Sequence, residues 1–497
     1  MKLKGWAIPC IIGSVLLIMA GTYLWTGSNR LKVSKEAIPK TSKTPDTVVE
    51  SELLITSQGN TTTIASNSSY KGRTPFYLEE NNFGNNQFNF MFYYSDQRSL
   101  FYSFKLQPEN TATAVAQKIF EVQANIDSGE VVNEGKGLVY RELTNDSYVE
   151  GDLKYLKSDG STVTIVNQCI FYSVAPDKKQ VLAGGKAPDA PDRARKQFYL
   201  FNLVTAKRTP LTGVFCPQNF EELIGVKVAW SRNSRYLCLI DKLFDTNTGG
   251  AVKRDFATAG AVPTLFCWSP DGQKLAYLYQ LDRYANYSID LENTSVCLSD
   301  RVVVYNPEDG RTQYWQIGDG LALDFIWSDD SRGIIAKVVP AAQLDTFINN
   351  YRPENFNPEV EAERFDLIAI DLQKPVAEKV LDDYPVRNLN KYYDGKLLFT
   401  YLKKNHSFIG IYDLKSKVTM DLMPGGSLNS YSYNDKVVFT VPEGIYLLDK
   451  DLKAEQKWRW DQSYPLLLFP GQQKAVFTTN DLIRVVDLSS PPSADTK

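Results

Sequence analysis

Residues 268–275 decide the fold, and they read Trp268-Ser269-Pro270-Asp271-Gly272-Gln273-Lys274-Leu275. An apolar run ends in an aromatic residue, and a serine and an aspartate then offer side-chain oxygens to a turn. A glycine supplies the positive φ that a tight reversal needs. A basic residue and a second apolar run follow. The stretch therefore predicts a β-hairpin.

The same hairpin pattern occurs eight times along the chain. Besides 268–275, the copies lie at 134–138, 174–181, 230–237, 327–334, 393–397, 434–437 and 470–475. Because the serines and aspartates recur at equivalent positions, we expect them to cap turns rather than to act as general acids or calcium ligands. The turn residues that we expect to be structural are Trp230, Ser231, Trp268, Ser269, Asp271, Gly272, Trp327, Ser328, Asp329, Asp394 and Gly395.

The spacing of the hairpins indicates the architecture. Most turns recur after about 40 residues, the length of one four-stranded propeller blade. A further apolar strand follows most hairpins, as at 302–306 and 367–371, and helical inserts are expected only at 120–126 and 341–350. We therefore expect an all-β chain that forms a single β-propeller of about eight blades over residues 51–490, with seven or nine left open.

Three further expectations follow from a closed ring. Trp230, Trp268 and Trp327 should pack between blades. The last hairpin copy is one strand short, and an N-terminal strand such as Leu53-Leu54-Ile55 would complete it and remove an exposed edge. The polar inserts at 185–196 and 343–363 should lie on one rim, where inserts often form the binding face.

The motif from Trp268 to Tyr277 resembles the repeat of TolB-type propellers, also called the WD40-like propeller repeat. Propeller domains of prolyl-oligopeptidase-type peptidases share that repeat. The resemblance implies the fold and says little about activity. Such peptidases also need a Gly-x-Ser-x-Gly elbow and a later histidine. Neither follows the last predicted strand, so we expect no hydrolase domain.

The N-terminus is predicted to be a membrane anchor. Residues 6–25 carry no charge, and 20 helical residues at 1.5 Å each span about 30 Å, the thickness of the hydrocarbon core. We expect residues 1–5 in the cytoplasm, a transmembrane signal anchor at 6–25, a disordered stalk at 26–50 and a disordered tail at 491–497. The propeller would then lie outside the cytoplasm of a bacterial cell, and cleavage of the anchor stays open.

Composition excludes several function classes. The 55 basic and 58 acidic residues give no positive excess for binding nucleic acid. The only histidine, His406, cannot form a histidine-rich zinc site and is expected to be a solvated turn residue. The six cysteines are expected to be mostly small buried apolar residues, and their pairing stays open: Cys10, Cys169, Cys216, Cys238, Cys267 and Cys297. We expect no metal and no cofactor.

The sequence therefore favours binding over catalysis. We expect no catalytic residues, and a rim or central channel that binds a protein, a peptide or an envelope polymer. One alternative is a carbohydrate-active enzyme, a glycosidase or lyase that uses carboxylates, although no pair of acids stands out and the sialidase motif is absent. Another is an assembly or sensor subunit of an envelope complex. The partner's identity and the oligomeric state stay open.

Overall fold

The computed structural model describes the chain from residue 53 to residue 487 with gaps. The described residues are 53–58, 61–66, 77–79, 87–93, 98–106, 116–143, 151–191, 193–219, 227–240, 242–252, 261–281, 298–350, 364–404, 406–424, 429–433, 436–441, 444–448, 454–459, 465–469, 474–479 and 482–487. The predicted anchor, stalk and tail lie outside them. Within them, no helix combines the length and the apolar character needed to cross a membrane.

The chain folds into antiparallel sheets in which sequential strands are neighbours. The first strands are β1 (Leu53–Gln58) and β2 (Thr61–Ser66). A four-stranded sheet then holds β3 (Tyr77–Glu79), β4 (Gln87–Tyr93), β5 (Arg98–Lys105) and β6 (Ala116–Gln123). A seven-stranded sheet follows, with β7 (Ile126–Val132), β8 (Gly137–Leu143), β9 (Gly151–Lys157), β10 (Thr162–Val174), β11 (Gln180–Lys186), β12 (Gln197–Asn202) and β13 (Lys207–Pro210).

The second half of the chain is more regular. A three-stranded sheet holds β14 (Val228–Trp230), β15 (Tyr236–Leu239) and β16 (Lys242–Asp245). The next four-stranded sheet holds β17 (Ala261–Trp268), β18 (Leu275–Leu281), β19 (Arg301–Asn306) and β20 (Arg311–Gln316). Another holds β21 (Leu321–Trp327), β22 (Gly333–Val339), β23 (Phe365–Asp371) and β24 (Glu378–Tyr384).

Two more four-stranded sheets and three final strands complete the chain. They are β25 (Val386–Tyr393), β26 (Lys396–Lys403), β27 (His406–Asp413) and β28 (Val418–Pro424), then β29 (Asn429–Tyr433), β30 (Lys436–Val441), β31 (Gly444–Leu448) and β32 (Ala454–Arg459). The last strands are β33 (Pro465–Phe469), β34 (Lys474–Thr479) and β35 (Leu482–Asp487).

The N-terminus closes the ring through β2. This strand pairs antiparallel with β35, with Ile64 opposite Ile483, and so becomes the fourth strand of the sheet β33–β35. The predicted closing residues Leu53 to Ile55 lie instead in β1, which pairs with the other side of β2. An N-terminal strand therefore completes the last sheet, but a different strand makes the direct contact.

The fold is a single β-propeller, and the prediction of about eight blades is wrong. Six sheets of the described chain have the form of one blade, namely the five four-stranded sheets and the sheet completed by β2. Two of the hairpin copies, 134–138 and 174–181, belong to the same seven-stranded sheet, because the 13-residue strand β10 pairs with both β9 and β11. The copy at 230–237 lies in the three-stranded sheet. Five of the eight turns therefore lie in blades of regular form, and the sixth regular blade, β3–β6, contains no copy of the turn.

The core lies between neighbouring sheets. Every residue of β22 is buried. Ile334, Ala336 and Val338 pack in a cluster with β19 and Trp315, whereas Ile335 and Val339 pack in a second cluster with β26. Alternate side chains of a strand point to opposite faces, so one strand serves both clusters. Burial of apolar area stabilises such an arrangement by about 25 cal/mol per Å².

The helical inserts agree with the sequence at one of two places. A 3₁₀ turn (Ala341–Gln343) and helix α1 (Leu344–Asn350) follow β22, and Phe347 of α1 packs edge-on against Phe365 with ring centroids 6.1 Å apart. The helix predicted at 120–126 is wrong. Residues 120–123 end β6, because Phe120 and Val122 point into the same buried cluster as Ile126 of the next strand, and that alternation is the period of a strand.

The two polar inserts leave the ring on the same face. Residues 185–196 connect β11 to β12, and residues 343–363 connect β22 to β23, so each joins the second and third strands of a blade-like unit. In an antiparallel meander of four strands, the connection between the second and third strands lies at the same end of the sheet as the link from the fourth strand to the next sheet. We call this side the insert face; it also carries the link 317–320 between β20 and β21.

Candidate functional site

The serines of the strong repeats hold their turns in the same way. Ser269 Oγ donates to Asp271 Oδ1 at 2.5 Å and accepts the main-chain N–H of Lys274 at 2.9 Å. Ser231 makes the same pair of bonds with Asn233 and Tyr236. Each serine thus satisfies polar groups on both arms of its hairpin.

In the turn at 327–334, the aspartate that caps the turn is not the one that the sequence predicted. Asp330, rather than Asp329, accepts the bond from Ser328 Oγ, at 2.6 Å. Asp329 instead accepts from Lys391 Nζ at 2.8 Å, and its N–H donates to Tyr392 O. The two aspartates are adjacent in sequence, so composition could not separate the turn-capping one from the one that reaches β25.

Each of the three repeat tryptophans forms a hydrogen bond to a strand of the preceding sheet. The indole Nε1 of Trp230 donates to Ser173 Oγ at 2.9 Å, that of Trp268 to Ala229 O at 3.0 Å, and that of Trp327 to Cys267 O at 3.0 Å. The acceptors lie on β10, β14 and β17, so each bond reaches the preceding sheet. These side chains therefore bond sheet to sheet.

Turns of successive sheets are also bonded to one another. The N–H of Asp271 donates to Ser331 Oγ at 3.0 Å, and that of Asp177 to Ser234 Oγ at 2.8 Å. Gly272 has φ +71°, and a Cβ there would come within 3.1 Å of the main-chain nitrogen of Arg232. Asp394 and Gly395 form a turn in which both residues have positive φ.

Replacing Ser269 by alanine tests how much one such turn contributes. Ser269 is 1% exposed, and loss of its hydroxyl leaves the part-buried N–H of Lys274 without its acceptor. We expect the free energy of unfolding to fall by about 1–3 kcal/mol, measured by denaturant titration. Gln273→Ala in the same turn is the control, because its side chain is exposed and it should change stability by less than about 0.5 kcal/mol. Equal stability of both variants would contradict a structural role for Ser269.

The remaining sequence candidates do not converge on a site. His406 is exposed at the start of β27, opposite Lys403. Cys169, Cys216 and Cys238 are buried, as predicted, whereas Cys267 is exposed; Cys10 and Cys297 lie outside the described residues. Within the described chain, no group of three His, Cys, Asp or Glu side chains is placed to hold a metal ion.

A groove between two blades is the best candidate site. It lies between β20 and the sheet β21–β24, has a volume of about 790 Å³, and is bordered by Tyr314, Gln316, Asp319, Ala341, Val376 and Lys379. One end opens at the insert face beside residues 318–320, and the other reaches the turn between β23 and β24. We call it the interblade groove.

Two of the residues that line the groove are largely exposed. Tyr314 is 61% exposed and Val376 is 73% exposed. Pro340, Ala341 and Pro375 also line it. Trp315, on the same strand as Tyr314, is buried and donates its Nε1–H to Lys374 O at 2.8 Å. This bond fixes the turn that carries Val376 against the neighbouring blade.

Lys379 of the groove is held by two carboxylates. Lys379 Nζ lies 2.6 Å from Asp366 Oδ2 and 2.9 Å from Asp382 Oδ1. Hydrogen bonds to these two carboxylates raise the pKa of Lys379, and its ammonium in turn lowers the pKa of Asp382. A lysine nucleophile or base needs the opposite shift. Lys379 therefore stays protonated and suits a structural or recognition role.

Sequence reasoning did not find this groove. Tyr314 and Val376 are 62 positions apart and lie in unremarkable stretches, an outer strand and a strand connection. The nearest sequence signal was the polar insert at 343–363, because Ala341 and Ala342, which immediately precede it, line the groove.

Comparisons with known proteins give likenesses of fold only. No family model and no curated protein matches the sequence. The solved dipeptidyl peptidase 4 of Porphyromonas gingivalis is 12% identical, with 71% of this chain and 56% of that chain covered and a TM-score of 0.43. A eukaryotic initiation factor is 10% identical, with 80% of this chain and 92% of that chain covered and a TM-score of 0.41. An oligogalacturonate lyase in complex with manganese is 15% identical, with 68% of this chain and 96% of that chain covered and a TM-score of 0.34.

These comparisons do not decide function. The chain spans little more than half the length of the peptidase that it matches, and all three structures are distant in sequence. Membership of the TolB-type group stays a prediction from the repeat.

Proposed function

We propose that this chain is a non-catalytic recognition module that binds an extended segment of a partner protein in the interblade groove. The supporting observation is an open groove with exposed apolar side chains, in which Lys379 is held in ion pairs. Exposed apolar patches on folded proteins commonly mark interaction sites. The volume lies within the range of about 300–1,000 Å³ for ligand sites.

An extended segment fits this shape better than a compact small molecule. The groove is open and reaches from the link 318–320, past Tyr314 and Gln316 of β20, to the turn 375–377. Small and rigid residues such as Pro340, Ala342 and Ala377 give it a shallow apolar floor. Side chains on one face of an extended peptide can occupy such a floor while the other face stays in solvent.

We further propose that the propeller is held at the outer side of a cell membrane by the uncharged segment 6–25. The support is the length of that segment and the charge-rich stretch 26–50 that follows it. In this setting the partner would be a protein of the cell envelope.

Replacement of Val376 by asparagine tests the proposed site. The full chain would be panned against a random heptapeptide display library, and the tightest binder synthesised with a fluorescent label. Loss of an apolar contact and burial of an unpaired amide should weaken binding of that peptide by about tenfold or more, measured by fluorescence anisotropy.

The matched control is Val204→Asn. Val204 is 63% exposed and also lies in the connection between a third and a fourth strand, but away from the groove. It should leave affinity unchanged within about twofold. A library that yields no binder to the wild-type chain would overturn the proposed function, and so would equal losses in the two variants. Release of product fragments from the peptide by the wild-type chain would overturn the non-catalytic assignment.

A further inference from the structure

Strand β20 is an open edge along the interblade groove. It is the last strand of its sheet, and among the described strands it pairs only with β19. Tyr314 and Gln316 of this strand border the groove. An edge strand of this kind presents main-chain donors and acceptors on its unpaired side.

The pairing register identifies which residues present these groups. Ile317 N–H donates to Asp300 O at 2.9 Å, at the end of the ladder in which Arg301 is opposite Gln316. In an antiparallel pair, hydrogen-bonded positions alternate along the strand. The groups of Gln313 and Trp315 therefore turn toward β19, and those of Tyr314 and Gln316 turn outward. In the described part of the chain, no hydrogen bond to these outward groups is present.

The sequence of β20 also lacks the usual protection of an edge. Charged residues or prolines normally prevent further strand pairing. The fourth strands of the other four-stranded sheets all carry charges inside the strand, for example Lys118 in β6, Lys379 in β24, Asp421 in β28 and Glu455 in β32. In β20 the sequence after Arg311 is Thr-Gln-Tyr-Trp-Gln, without charge or proline.

Building on the proposed function, we propose that the partner segment binds as an added β-strand on β20. The main chain of Tyr314 and Gln316 supplies the hydrogen bonds, and alternate apolar side chains of the segment rest on Val376 and Ala341. A basic residue of the segment lies near the exposed carboxylate of Asp319 at the insert face, because the ammonium of Lys379 is already held by Asp366 and Asp382. The occupant is thus an extended, proline-free and basic peptide.

The test compares Gln316→Pro with Gln316→Ala in the full chain, with the library-selected peptide as the probe. Proline at position 316 removes the N–H that points outward from β20. The hydrogen bonds between β20 and β19 stay intact, because the N–H of Gln316 is not one of their donors. We expect Gln316→Pro to weaken binding at least tenfold and Gln316→Ala less than threefold. N-methylation at alternate residues of the peptide should give the same loss with an unaltered protein, and hydrogen exchange at Tyr314 and Gln316 should slow on binding.

The outcomes separate this proposal from the proposed function. Binding that is lost in Val376→Asn but retained with Gln316→Pro and with N-methylated peptide would overturn strand addition and leave the groove as the site. A wild-type chain that selects no peptide would overturn both. A concentration-dependent dimer that disappears in Gln316→Pro, with no peptide binding, would show that a second copy occupies the edge and would overturn the assignment to a partner segment.

Discussion

Replacing Ile64 by aspartate is expected to lower the free energy of unfolding by roughly 4 kcal/mol or more. Ile64 has no exposed surface, and it packs with Phe88 and Phe90 of one sheet and Val476 of another. It lies on β2, the strand that joins the N-terminal segment to β35. The substitution removes buried apolar area and places a carboxylate where no described cation is packed in the same cluster.

The guanidinium unfolding midpoint measures this effect, and Ile64→Val is the matched control. Removing one methylene group should cost about 0.5–1.5 kcal/mol. A large loss for aspartate with a small loss for valine would identify β2 as part of the folding unit. Stability of Ile64→Asp equal to the wild type would show that the chain does not depend on closure by β2.

Replacing Trp327 by alanine is expected to cost about 3–5 kcal/mol. The side chain is 4% exposed, packs in the cluster between the sheets β17–β20 and β21–β24, and donates to Cys267 O. Alanine leaves a cavity between two blades and removes one hydrogen bond to β17. Because the same two blades form the interblade groove, we also expect weaker peptide binding in this variant.

Trp327→Phe separates packing from hydrogen bonding. Phenylalanine keeps most of the ring but loses the indole donor, so it should cost about 1–2 kcal/mol. The free energy of unfolding from urea titration measures both variants. A loss below about 1 kcal/mol for Trp327→Ala would contradict the view that the repeat tryptophans hold blades together.

The repeat predicted the fold because its chemistry is local. A hairpin such as that at Ser269 is specified by residues within eight positions, and its bonds to Asp271 and Lys274 stay inside the turn. The trailing strands were predictable for the same reason. Strands such as β19 and β23 show the expected apolar runs that end in Asn306 and Asp371.

The blade count was not predictable because it depends on how one strand continues. The 13 residues of β10 pair with β9 in their first part and with β11 in their second, through irregular registers near Val166 and Asn167. Gln168 adopts φ +50° at this point. Nothing in the turn pattern indicates that two hairpins share the strand β10 or that the sheet β3–β6 lacks a copy of the turn, so a count of turns does not give the number of regular blades.

The candidate site lay beyond sequence reasoning for a different reason. The groove depends on the distance between Tyr314 and Val376, which belong to neighbouring blades, and on the rotation of Trp315 into the core. Periodicity places Tyr314 and Trp315 on opposite faces of β20, but it does not say which face borders a groove. The polar inserts predicted a binding face on one rim, and the groove opens at one end on that face, but the inserts did not indicate the residues that line it.

Site-specific cross-linking tests the central claim most directly. The photoreactive residue benzoylphenylalanine would replace Tyr314 in one full-length variant and Phe215 in another, because the two aromatic side chains are almost equally exposed, at 61% and 62%. After irradiation with the library-selected peptide, mass spectrometry should find the peptide attached at position 314 and not at position 215. Attachment at position 215 alone, or to the same extent at both positions, would contradict recognition in the interblade groove.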